Sequence, residues 1–590
     1  MNKNSIKDKD RLADFTRDPI IFKLSFLALI IGVMSAYIAY ALVWLIRVIT
    51  NLCFFQKLSD QFNSPGGNHL GYFVIAIPVL GGLIIGLMAK FGSEKIRGHG
   101  IPEALESILI GESRMAPQVA LLKPVSSAIS IGTGGPFGAE GPIIMTGGAF
   151  GSLFAQLFHL TSAERKTLLV AGAAGGMAAI FATPVAAVLL AVELLLFEWK
   201  PRSFIPVAIS SITAGMLRIK FFGPGPMFKV LPHGVVGGHE IIMAVIVGLS
   251  AGLGSCLLTV LVYGFEDLFK RLPIHWMWWP AIGGLFVGLG GCINPKVMGV
   301  GYDVIQGLLN GNLSGMALVS LVVIKALVWA IALGSGTSGG VLAPLLIIGG
   351  GLGAIEAHWI HVGDASLWTM ISMAAIMGGT MRAPLTAILF TLELTHDYNI
   401  MNALVVGCIA AYAVTVLVMR RSILTEKVAR RGYHITREYS IDPLEMIRVD
   451  EVMDKDVHTV PSTLTVAEFV DLISNQRNGF MKHQGVPIVD ENNRLVGMVT
   501  REDVMKNYRE NPKATVLEIG KKDVVVAYPD ELVREALHKM LNHDIGRLPV
   551  VGRDDPRRVI GYLGRPSVFM AWMRRIKEEG KRDTIRLFYQ

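Results

Sequence analysis

Two polar, glycine-rich stretches interrupt long apolar sequence, about two hundred residues apart. The first, residues 132–142, carries one acidic residue, Glu140, and the second is residues 334–344. Each is followed by a Gly-Gly-x-x-Gly sequence and then by a segment of equal length from proline to glutamate, 184–193 and 384–393. A membrane protein whose two halves are broken by glycine and proline at matching places is typical of an inverted-repeat transporter, with its binding site at the repeat interface.

The apolar sequence around these stretches is long enough to cross a membrane. Hydrophobic residues make up 52% of the chain and charged residues 17%, below the charged share of about 25% in soluble domains. The runs 21–44, 72–88, 241–262 and 403–418 approach or exceed the ~20 residues that span a bilayer. Shorter, broken runs are tolerated at membrane depth only inside protein or beside a water-filled cavity. We therefore predict an all-α, multi-pass membrane domain with an inverted-topology repeat, whose broken, tilted helices face inward.

The charge distribution predicts the orientation of the chain. The net charge is +8, and a basic cluster follows the last apolar run: Arg420, Arg421, Lys427, Arg430 and Arg431. Cytoplasmic ends of membrane segments are rich in Lys and Arg, so we expect the C-terminal tail in the cytoplasm. The first residues lack an apolar core followed by a small-residue cleavage site, so no cleavable signal peptide is expected. The prediction is an integral protein of the plasma membrane or, in a bacterium, the inner membrane.

The tail contains a repeat of its own. Each unit is predicted to run strand, helix, strand, strand, helix, and the strand-like residues 485–489 of the first unit return as 547–551 in the second. The tail is therefore expected to be α/β. The predicted domains are a cytoplasmic N-terminal segment (1–20), the membrane domain (21–432, with repeat halves of about 21–220 and 238–425), a linker (433–445), the two tail units (446–508 and 509–575) and a terminal tail (576–590).

The two tail units resemble a tandem CBS-domain pair, a regulatory module that often binds adenine nucleotides. In that family a Ser or Thr at the end of the last strand and an Asp three residues later contact ribose and phosphate. The resemblance implies this role for Thr500 and Asp503, whereas the second unit has Gly564 and Ser567 at the equivalent positions. The alternative is that Thr500 caps a helix with Asp503 in its first turn. Both interpretations stay open from the sequence.

The glycine-rich stretches have the chemistry of an anion site. A helix N-terminus presents unpaired N–H groups and a partial positive charge, and several such ends aimed into one cavity bind an anion without a lysine or arginine. Glycine permits the turn, and Pro142 and Pro344 fit a first helical turn. We expect helices to begin near Ala139 and Val341 and to point their N–H groups at one locus. Residues 98–102, Gly-His-Gly-Ile-Pro, form a third motif of this kind.

These three motifs, in this order and with the repeated Pro-to-Glu segments, resemble the CLC family of chloride channels and proton-coupled chloride exchangers. The resemblance covers about residues 20–432, and a CBS pair is common at the C-terminus of that family. It implies a homodimer in the lipid bilayer with one pore in each subunit, and chloride, with protons in the exchangers, as the transported ions. It implies no enzyme activity, required cofactor, metal or nucleic-acid partner.

The resemblance also implies roles for individual residues. Glu140 matches the gating glutamate, whose charged carboxylate occupies an anion site and whose neutral form leaves it. Val341 and Leu342 match the stretch whose backbone amides bind the anion. His99, Gly100 and Ile101 belong to the third anion-binding motif.

Three positions depart from the family pattern. His99 stands where a serine is usual; a histidine can donate a hydrogen bond to chloride when neutral and would add a pH-dependent affinity when protonated. Leu424 stands where many members carry an anion-contacting tyrosine, so one hydroxyl is missing. Leu194 stands where many exchangers have an internal acid. Glu198, one helical turn later, is a candidate internal proton donor, or else a solvated residue of the loop.

The mechanism therefore stays open between classes. Proton-coupled chloride exchange is favoured slightly because Glu140 is intact, and a passive, voltage- or proton-gated chloride channel is the alternative. A fluoride/proton antiporter is a third candidate, since such relatives also lack the central serine. A rhomboid-like serine protease is a candidate from another class because Gly336-Thr-Ser338-Gly resembles its motif, but no sequence feature places a histidine beside Ser338.

Overall fold

The computed structural model describes residues 19–109, 111–432, 447–474, 485–570 and 572–573. The chain divides into two compact units, Met1–Glu438 and Tyr439–Gln590. Most of the predicted N-terminal segment, the linker 433–445 and the terminal tail 576–590 lie outside the described residues.

The first unit is helical, as predicted for the membrane domain. Its helices are α1 (Ile20–Phe55), α2 (Ala76–Phe91), α3 (Ile101–Leu109), α4 (Pro117–Gly132), α5 (Glu140–Gln156), α6 (Ser162–Phe181), α7 (Pro184–Leu190), α8 (Pro201–Phe222), α9 (Gly238–Lys270), α10 (Trp279–Ile293), α11 (Tyr302–Leu309), α12 (Gly315–Gly334), α13 (Leu342–Glu356), α14 (Ala365–Met381), α15 (Pro384–Thr395), α16 (Met401–Val418) and α17 (Ile423–Arg430). Helix α7 continues into a π-helical turn, Ala191–Leu196.

Long and short apolar helices occupy different places in this unit. Seven helices among the described residues are long and apolar enough to cross a membrane: Ile20–Phe55, Gly71–Phe91, Pro201–Phe222, Gly238–Lys270, Trp276–Ile293, Gly315–Gly334 and Tyr398–Arg430. The shorter helices lie inside, since the first ten residues of both α5 and α13 are buried. The prediction that the broken helices face inward is confirmed.

Close packing of backbones explains the two Gly-Gly-x-x-Gly sequences. Helix α5 packs against α6, and α13 packs against α14 in the other half. A Cβ atom at Gly147 would lie 2.3 Å from the carbonyl oxygen of Gly172, and one at Gly353 would lie 2.2 Å from that of Trp368. No side chain fits at such distances, so glycine lets the paired helices approach each other inside the membrane.

The two Pro-to-Glu segments cap each other. The carboxylate of Glu193 accepts hydrogen bonds from the N–H (2.8 Å) and the hydroxyl (2.6 Å) of Thr386 at the start of α15. Reciprocally, Glu393 accepts from the N–H groups of Val185 (3.0 Å) and Ala186 (2.8 Å) at the start of α7. The first N–H groups of a helix have no partner within it and carry partial positive charge. Each half therefore supplies the acid that stabilises the other half's helix start.

The second unit contains two small sheets and short helices, α18 (Val449–Val452), β1 (Val460–Pro461), α19 (Val466–Ser474), β2 (Gly485–Val489), β3 (Leu495–Thr500), α20 (Arg501–Glu510), α21 (Val516–Ile519), α22 (Val533–Asn542), β4 (Arg547–Val551) and β5 (Val559–Gly564). Strand β1 pairs in parallel with β2, which pairs antiparallel with β3. Strands β4 and β5 form an antiparallel pair. The predicted α/β character of the tail is confirmed.

The opening of the second tail unit differs from the prediction. A strand was expected within residues 519–529, but Ile519 ends helix α21. Lys521 then pairs with Met498 of strand β3 in the first tail unit. Only Ala527 reaches the second sheet, through an isolated parallel bridge to Val550. Backbone pairing with the first unit thus replaces most of the expected strand.

A histidine anchors the loop between the two halves of the first unit through contacts with two aspartates. His233 lies between α8 and α9, and its side chain is only 9% exposed. Its Nε2 lies 2.8 Å from Asp364 at the N-terminus of α14, and its Nδ1 contacts Asp397. Burial lowers the pKa of His233, but the hydrogen bonds to Asp397 and Asp364 outweigh it, so the pKa is raised above its usual value. Since a carboxylate only accepts, the imidazolium satisfies both contacts.

We expect the contacts of His233 with Asp364 and Asp397 to make the stability of the first unit pH-dependent. Because the folded-state pKa is raised, the stabilisation is complete below the unfolded value of about 6.5 and is lost as the pH rises through the folded value. His233→Gln should therefore lower the melting temperature most in mild acid and least in mild alkali. Thermal unfolding of the purified protein in detergent between about pH 6 and 9 measures this. A difference between the two proteins that is independent of pH contradicts the expectation.

Candidate functional site

The three glycine-containing motifs meet in the interior of the first unit. Gly138 and Gly340 form an antiparallel bridge, in which the N–H of Gly340 donates to the carbonyl of Gly138 over 2.9 Å. The N–H of Gly339 donates to the carbonyl of Gly98 over 3.4 Å. Backbone hydrogen bonds thus join stretches that are far apart in sequence.

Helices α5 and α13 begin at this junction. Their N-cap residues are Ala139 and Val341, as the sequence predicted, and neither has a capping side-chain hydrogen bond. Pro142 and Pro344 are the third residues of their helices, where a proline removes an N–H that has no helical partner. The junction therefore receives the positive ends of two helices whose N-cap residues supply no capping side chain.

The side chain of Glu140 fills this junction. It is fully buried, and its Oε1 accepts a hydrogen bond from the N–H of Ala343 over 2.8 Å. A Cβ atom at Gly138 would lie 1.8 Å from Oε2, and one at Gly340 would lie 2.8 Å from the carboxyl carbon. Glycines on both strands of the bridge therefore make room for the carboxylate. An anionic group thus lies at the N-terminus of α13, the position expected for a bound anion.

The amide that binds this carboxylate is one residue beyond those named from the sequence. Val341 and Leu342 are both fully buried at the start of α13, and the N–H of Leu342 faces Glu140. The measured hydrogen bond comes from Ala343, which sequence reasoning missed. The signal was present, because every N–H in the first turn of a helix lacks a helical partner.

His99 faces the interior with no partner for its ring. The residue is 3% exposed, and neither Nδ1 nor Nε2 has a hydrogen-bond partner among the described residues. Gly98 and Gly100 on either side both have positive φ, +82° and +88°, which glycine adopts without strain. The motif thus turns a buried donor into the protein interior, where an anion would satisfy it.

The Gly100 amide, also named from the sequence, is already used. It donates to Oε2 of Glu103 over 3.0 Å, so that Glu103 caps α3, which begins at the buried Ile101. Glu103 in turn is paired with Lys427 over 2.7 Å. The acid occupies the amide because it lies three residues later, within reach of the first turn. In the present conformation this N–H is therefore bound to Glu103, and the anion-binding role of Gly100 stays a prediction.

Two buried lysines hold the loops that precede α3 and α11. Lys123 on α4 donates to the carbonyls of Ile96 (2.8 Å) and Gly98 (2.7 Å). Lys325 on α12 donates to the carbonyls of Val297 (2.9 Å) and Gly299 (3.2 Å). The two sets occupy corresponding places in the two halves. Sequence reasoning missed them, although each is a lone cation in an otherwise apolar run, which indicates a specific partner.

A basic cavity borders two of the motifs. Its volume is about 520 Å³, and Gly98 and Gly336 line it. The guanidinium of Arg97 lies 4.5 Å from the ring centre of Trp276, a cation–π contact. The cationic lining residues outnumber the acidic ones: Lys95, Arg97, Lys270, Lys427, Arg430 and Arg431 against Glu94, Glu106 and Glu266. The field of this cavity attracts anions towards the motifs.

Other contacts occupy three further residues considered from the sequence. Leu424 is fully buried in the first turn of α17, and the hydroxyl of Tyr263 bonds to the carbonyl of the preceding Ile423. Leu194 is buried in the π-helical turn. Ser338 bonds with the hydroxyls of two serines on α4, Ser126 (3.2 Å) and Ser127 (2.9 Å). These contacts give Ser338 no base of the kind a nucleophile requires.

Glu198 is held in the loop between α7 and α8. Its Oε1 accepts from the Ser203 hydroxyl over 2.7 Å, and Lys200 lies 3.4 Å from Oε2. Burial raises the pKa of Glu198, but the hydrogen bond from Ser203 and the charges of Lys166 and Lys200 outweigh it and hold the pKa below the usual range. The charged form is thus favoured, which is unfavourable for a group that must carry a proton at neutral pH.

Thr500 and Asp503 form a capping box. The hydroxyl of Thr500 accepts from the N–H of Asp503 over 3.2 Å, and Oδ2 of Asp503 accepts from the N–H of Thr500 over 2.9 Å. Thr515 and Glu518 form the same arrangement at the start of α21. The helix-capping interpretation of Thr500 therefore describes its contacts in this structure.

Comparisons with known proteins agree with this architecture. The family model described as "Voltage gated chloride channel" matches residues 81–416, more than half of the chain. The CBS domain model matches residues 449–510 and 516–572, beside the predicted bounds 446–508 and 509–575. A "Putative chloride channel protein ClcB-like" from Ralstonia nicotianae is 29% identical over 60% of this chain and 85% of its own length. A "Voltage-gated ClC-type chloride channel ClcB" from Salmonella typhimurium is 28% identical over 69% of this chain and all of its own length.

Solved structures share the fold. A slow cyanobacterial Cl⁻/H⁺ antiporter superposes with a TM-score of 0.62 at 24% identity, over 70% of this chain and 99% of its own. A eukaryotic CLC transporter gives a TM-score of 0.59 at 17% identity, over 92% of this chain and 98% of its own. A CLC-type fluoride/proton antiporter gives a TM-score of 0.60 at 19% identity, over 68% of this chain and 97% of its own. The predicted resemblance is confirmed: this integral membrane protein belongs to the CLC family of voltage-gated chloride channels and transporters, which is not an enzyme class, and it carries a C-terminal pair of CBS domains.

Proposed function

We propose that the chain transports chloride through the junction of the three motifs and that Glu140 is its gate. The observation that carries the proposal is the buried carboxylate at the uncapped N-terminus of α13. A negatively charged group bound there by backbone amides occupies the place of a transported anion. When Glu140 takes a proton or moves away, the same amides of Val341, Leu342 and Ala343 become available to chloride.

Exchange of protons for chloride, in which the two ions move in opposite directions, is the favoured form of this transport. A carboxylate held only by neutral N–H groups exchanges its place with an anion more readily than one paired with a lysine or arginine, whose charge would bind it tightly. Release from the amides lets it take a proton from the external side. Delivery of the proton from the cytoplasm is assigned to Glu198, although its contacts with Ser203 and Lys200 favour its charged form. A passive channel is the alternative.

The first test is ion flux from purified protein in liposomes with opposing chloride and proton gradients. We expect the wild type to take up protons when only a chloride gradient drives it. Glu140→Ala should abolish proton movement and retain anion flux, because the exchanging acid is gone while the amides remain. Chloride and pH electrodes measure both ions.

Glu356→Gln is the matched control, since Glu356 is an acid at the far end of α13 whose contact is with Ser250. It should leave coupling unchanged. Rapid anion leak without proton uptake by the wild type would establish the channel. Loss of all anion flux in a correctly folded Glu140→Ala protein would contradict the gating role. The same assay with fluoride in place of chloride tests the fluoride/proton antiporter, which would couple protons to fluoride and not to chloride.

His99 is proposed to donate a hydrogen bond to the anion as a neutral imidazole. Burial opposes a positive charge on this ring, and the charges of Lys427, Lys123 and Arg431 oppose it as well, whereas the carboxylate of Glu103 favours it. The ring then contributes one N–H to the site, as a serine hydroxyl would. The pH-dependent affinity that a protonated ring would add is the alternative.

We expect His99→Ala to weaken chloride binding by about tenfold, since a hydrogen bond to a charged group is worth roughly 1.5–3 kcal/mol. His99→Ser should bind nearly as well as the wild type, and the wild-type affinity should be constant between about pH 6 and 8. Calorimetry with chloride on the detergent-solubilised protein measures all three. A wild-type affinity that rises steeply as the pH falls, and does not rise in His99→Ala, would identify the protonated ring as the ligand.

The protein is further proposed to be a homodimer with one pathway in each subunit and the CBS pair in the cytoplasm. Among the described residues, all three motifs and Glu140 of the site come from a single chain, so each subunit holds a complete junction. The CBS pair is proposed to regulate transport by binding an adenine nucleotide at Thr500 and Asp503.

Nucleotide binding is tested by calorimetry of the whole protein with ATP, ADP and AMP. We expect binding below millimolar concentration and its loss in Thr500→Ala. Thr515→Ala removes an equivalent helix cap and should retain binding. This control distinguishes loss of a nucleotide contact from the effect of losing a helix cap. Failure of all three nucleotides to bind the wild type would refute the proposal and leave Thr500 as a cap only.

A further inference from the structure

Two buried polar atoms in the region of the gate lack hydrogen-bond partners. They are Oε2 of Glu140 and the hydroxyl oxygen of Tyr302, neither of which has a partner among the described residues. Helix α11, which begins at Tyr302, packs against α13, and the Glu140 carboxylate is bound at the start of α13. A buried polar group without a partner costs free energy and calls for a physical explanation. One of these groups accepts hydrogen bonds and the other donates them, so they complement each other.

The position of Tyr302 in the fold is fixed by the repeat. It is the first residue of α11 and follows Gly301, as Ile101 follows Gly100 in the other half. Gly299 and Gly301 have positive φ, +67° and +78°, like their counterparts beside His99. The carbonyl of Gly299 accepts from the buried Lys325. The second half therefore contains a copy of the His99 motif, and this copy presents a tyrosine.

An aromatic frame holds the ring of Tyr302. Phe181 and Phe228 each contact it edge-on, with ring centres 6.3 Å away. Phe390 packs on Phe181 with ring centres 5.3 Å apart. These rings offer no strong acceptor to the hydroxyl, so the orphaned O–H of Tyr302 is directed by packing and not by a bond that it would have to break.

The charged groups nearby have other roles. Lys123 and Lys325, on the helices beside α5 and α11, donate to backbone carbonyls. Asp303, next to Tyr302, is exposed. Glu356, at the far end of α13, bonds with Ser250. The ring of His99, which lies before α3, also has no hydrogen-bond partner among the described residues.

We propose that the hydroxyl of Tyr302 is the second resting place of the Glu140 carboxylate. In the present conformation the carboxylate is bound at the N-terminus of α13 and the hydroxyl is unpaired. When an anion takes the amides, the displaced carboxylate accepts a hydrogen bond from Tyr302 and stays charged outside the anion site. Tyr302 is thus a positioning residue that acts through Glu140. This inference rests on the gating role proposed for Glu140.

Tyr302→Phe removes the hydroxyl and keeps the ring against Phe181 and Phe228. We expect chloride transport in liposomes to fall about tenfold in mild alkali, where the carboxylate is charged, which is the effect of losing one hydrogen bond to a charged group. In mild acid, where the protonated side chain no longer competes for the amides, the rate should approach that of the wild type. Tyr263→Phe is the matched control, since its hydroxyl bonds to the Ile423 carbonyl and its loss should not change the pH profile.

The same substitution in a Glu140→Ala background separates the explanations. Without the carboxylate, Tyr302→Phe should have no effect on anion flux at any pH. An equal loss in both backgrounds would mean that Tyr302 contacts the anion or supports the fold, and would overturn the inference. A rate that is unchanged by Tyr302→Phe in the wild type would overturn it as well. If Glu140→Ala alone leaves proton coupling intact, the gating role of Glu140 is refuted. That outcome is distinguishable from a failure of the role proposed for Tyr302.

Discussion

The backbone bridge between Gly138 and Gly340 determines the rest of the membrane unit. It brings the starts of α5 and α13 to one place, where N–H groups without helical partners bear partial positive charge and bind the Glu140 carboxylate. Neighbouring glycines allow the two helix starts to come together. Some leave space for the Glu140 carboxylate, and others let the paired helices pack with their backbones in close contact. A larger side chain at either bridge residue would separate the two halves.

The internal repeat works through exchange of polar groups as well as through shape. Buried lysines hold equivalent loops in the two halves, and glutamates at equivalent positions cap the opposite half's helices. The two copies are not identical, and the proposed mechanism depends on the positions at which they differ. One half contributes Glu140 and His99, and the other contributes the first amides of α13 and Tyr302.

Sequence patterns predicted the fold and the junction well, because glycine, proline and hydrophobic length act locally. Ala139 and Val341 were predicted as helix starts for this reason, and they are the N-caps. Contacts between distant residues could not be predicted in the same way. The use of the Gly100 amide by Glu103 and the pairing of Lys521 with Met498 both depend on tertiary packing. No spacing in the chain specifies them.

The crossed glutamate caps have a consequence for how the chain is made. The first N–H groups of α7 are satisfied by Glu393, about two hundred residues later in the chain. During synthesis the first half therefore enters the bilayer with an uncapped helix start, and it stays incomplete until the second half has been inserted in the opposite orientation. The folding of the two halves is in this way a single event, and truncation after the first repeat leaves a helix end with unsatisfied backbone in the membrane.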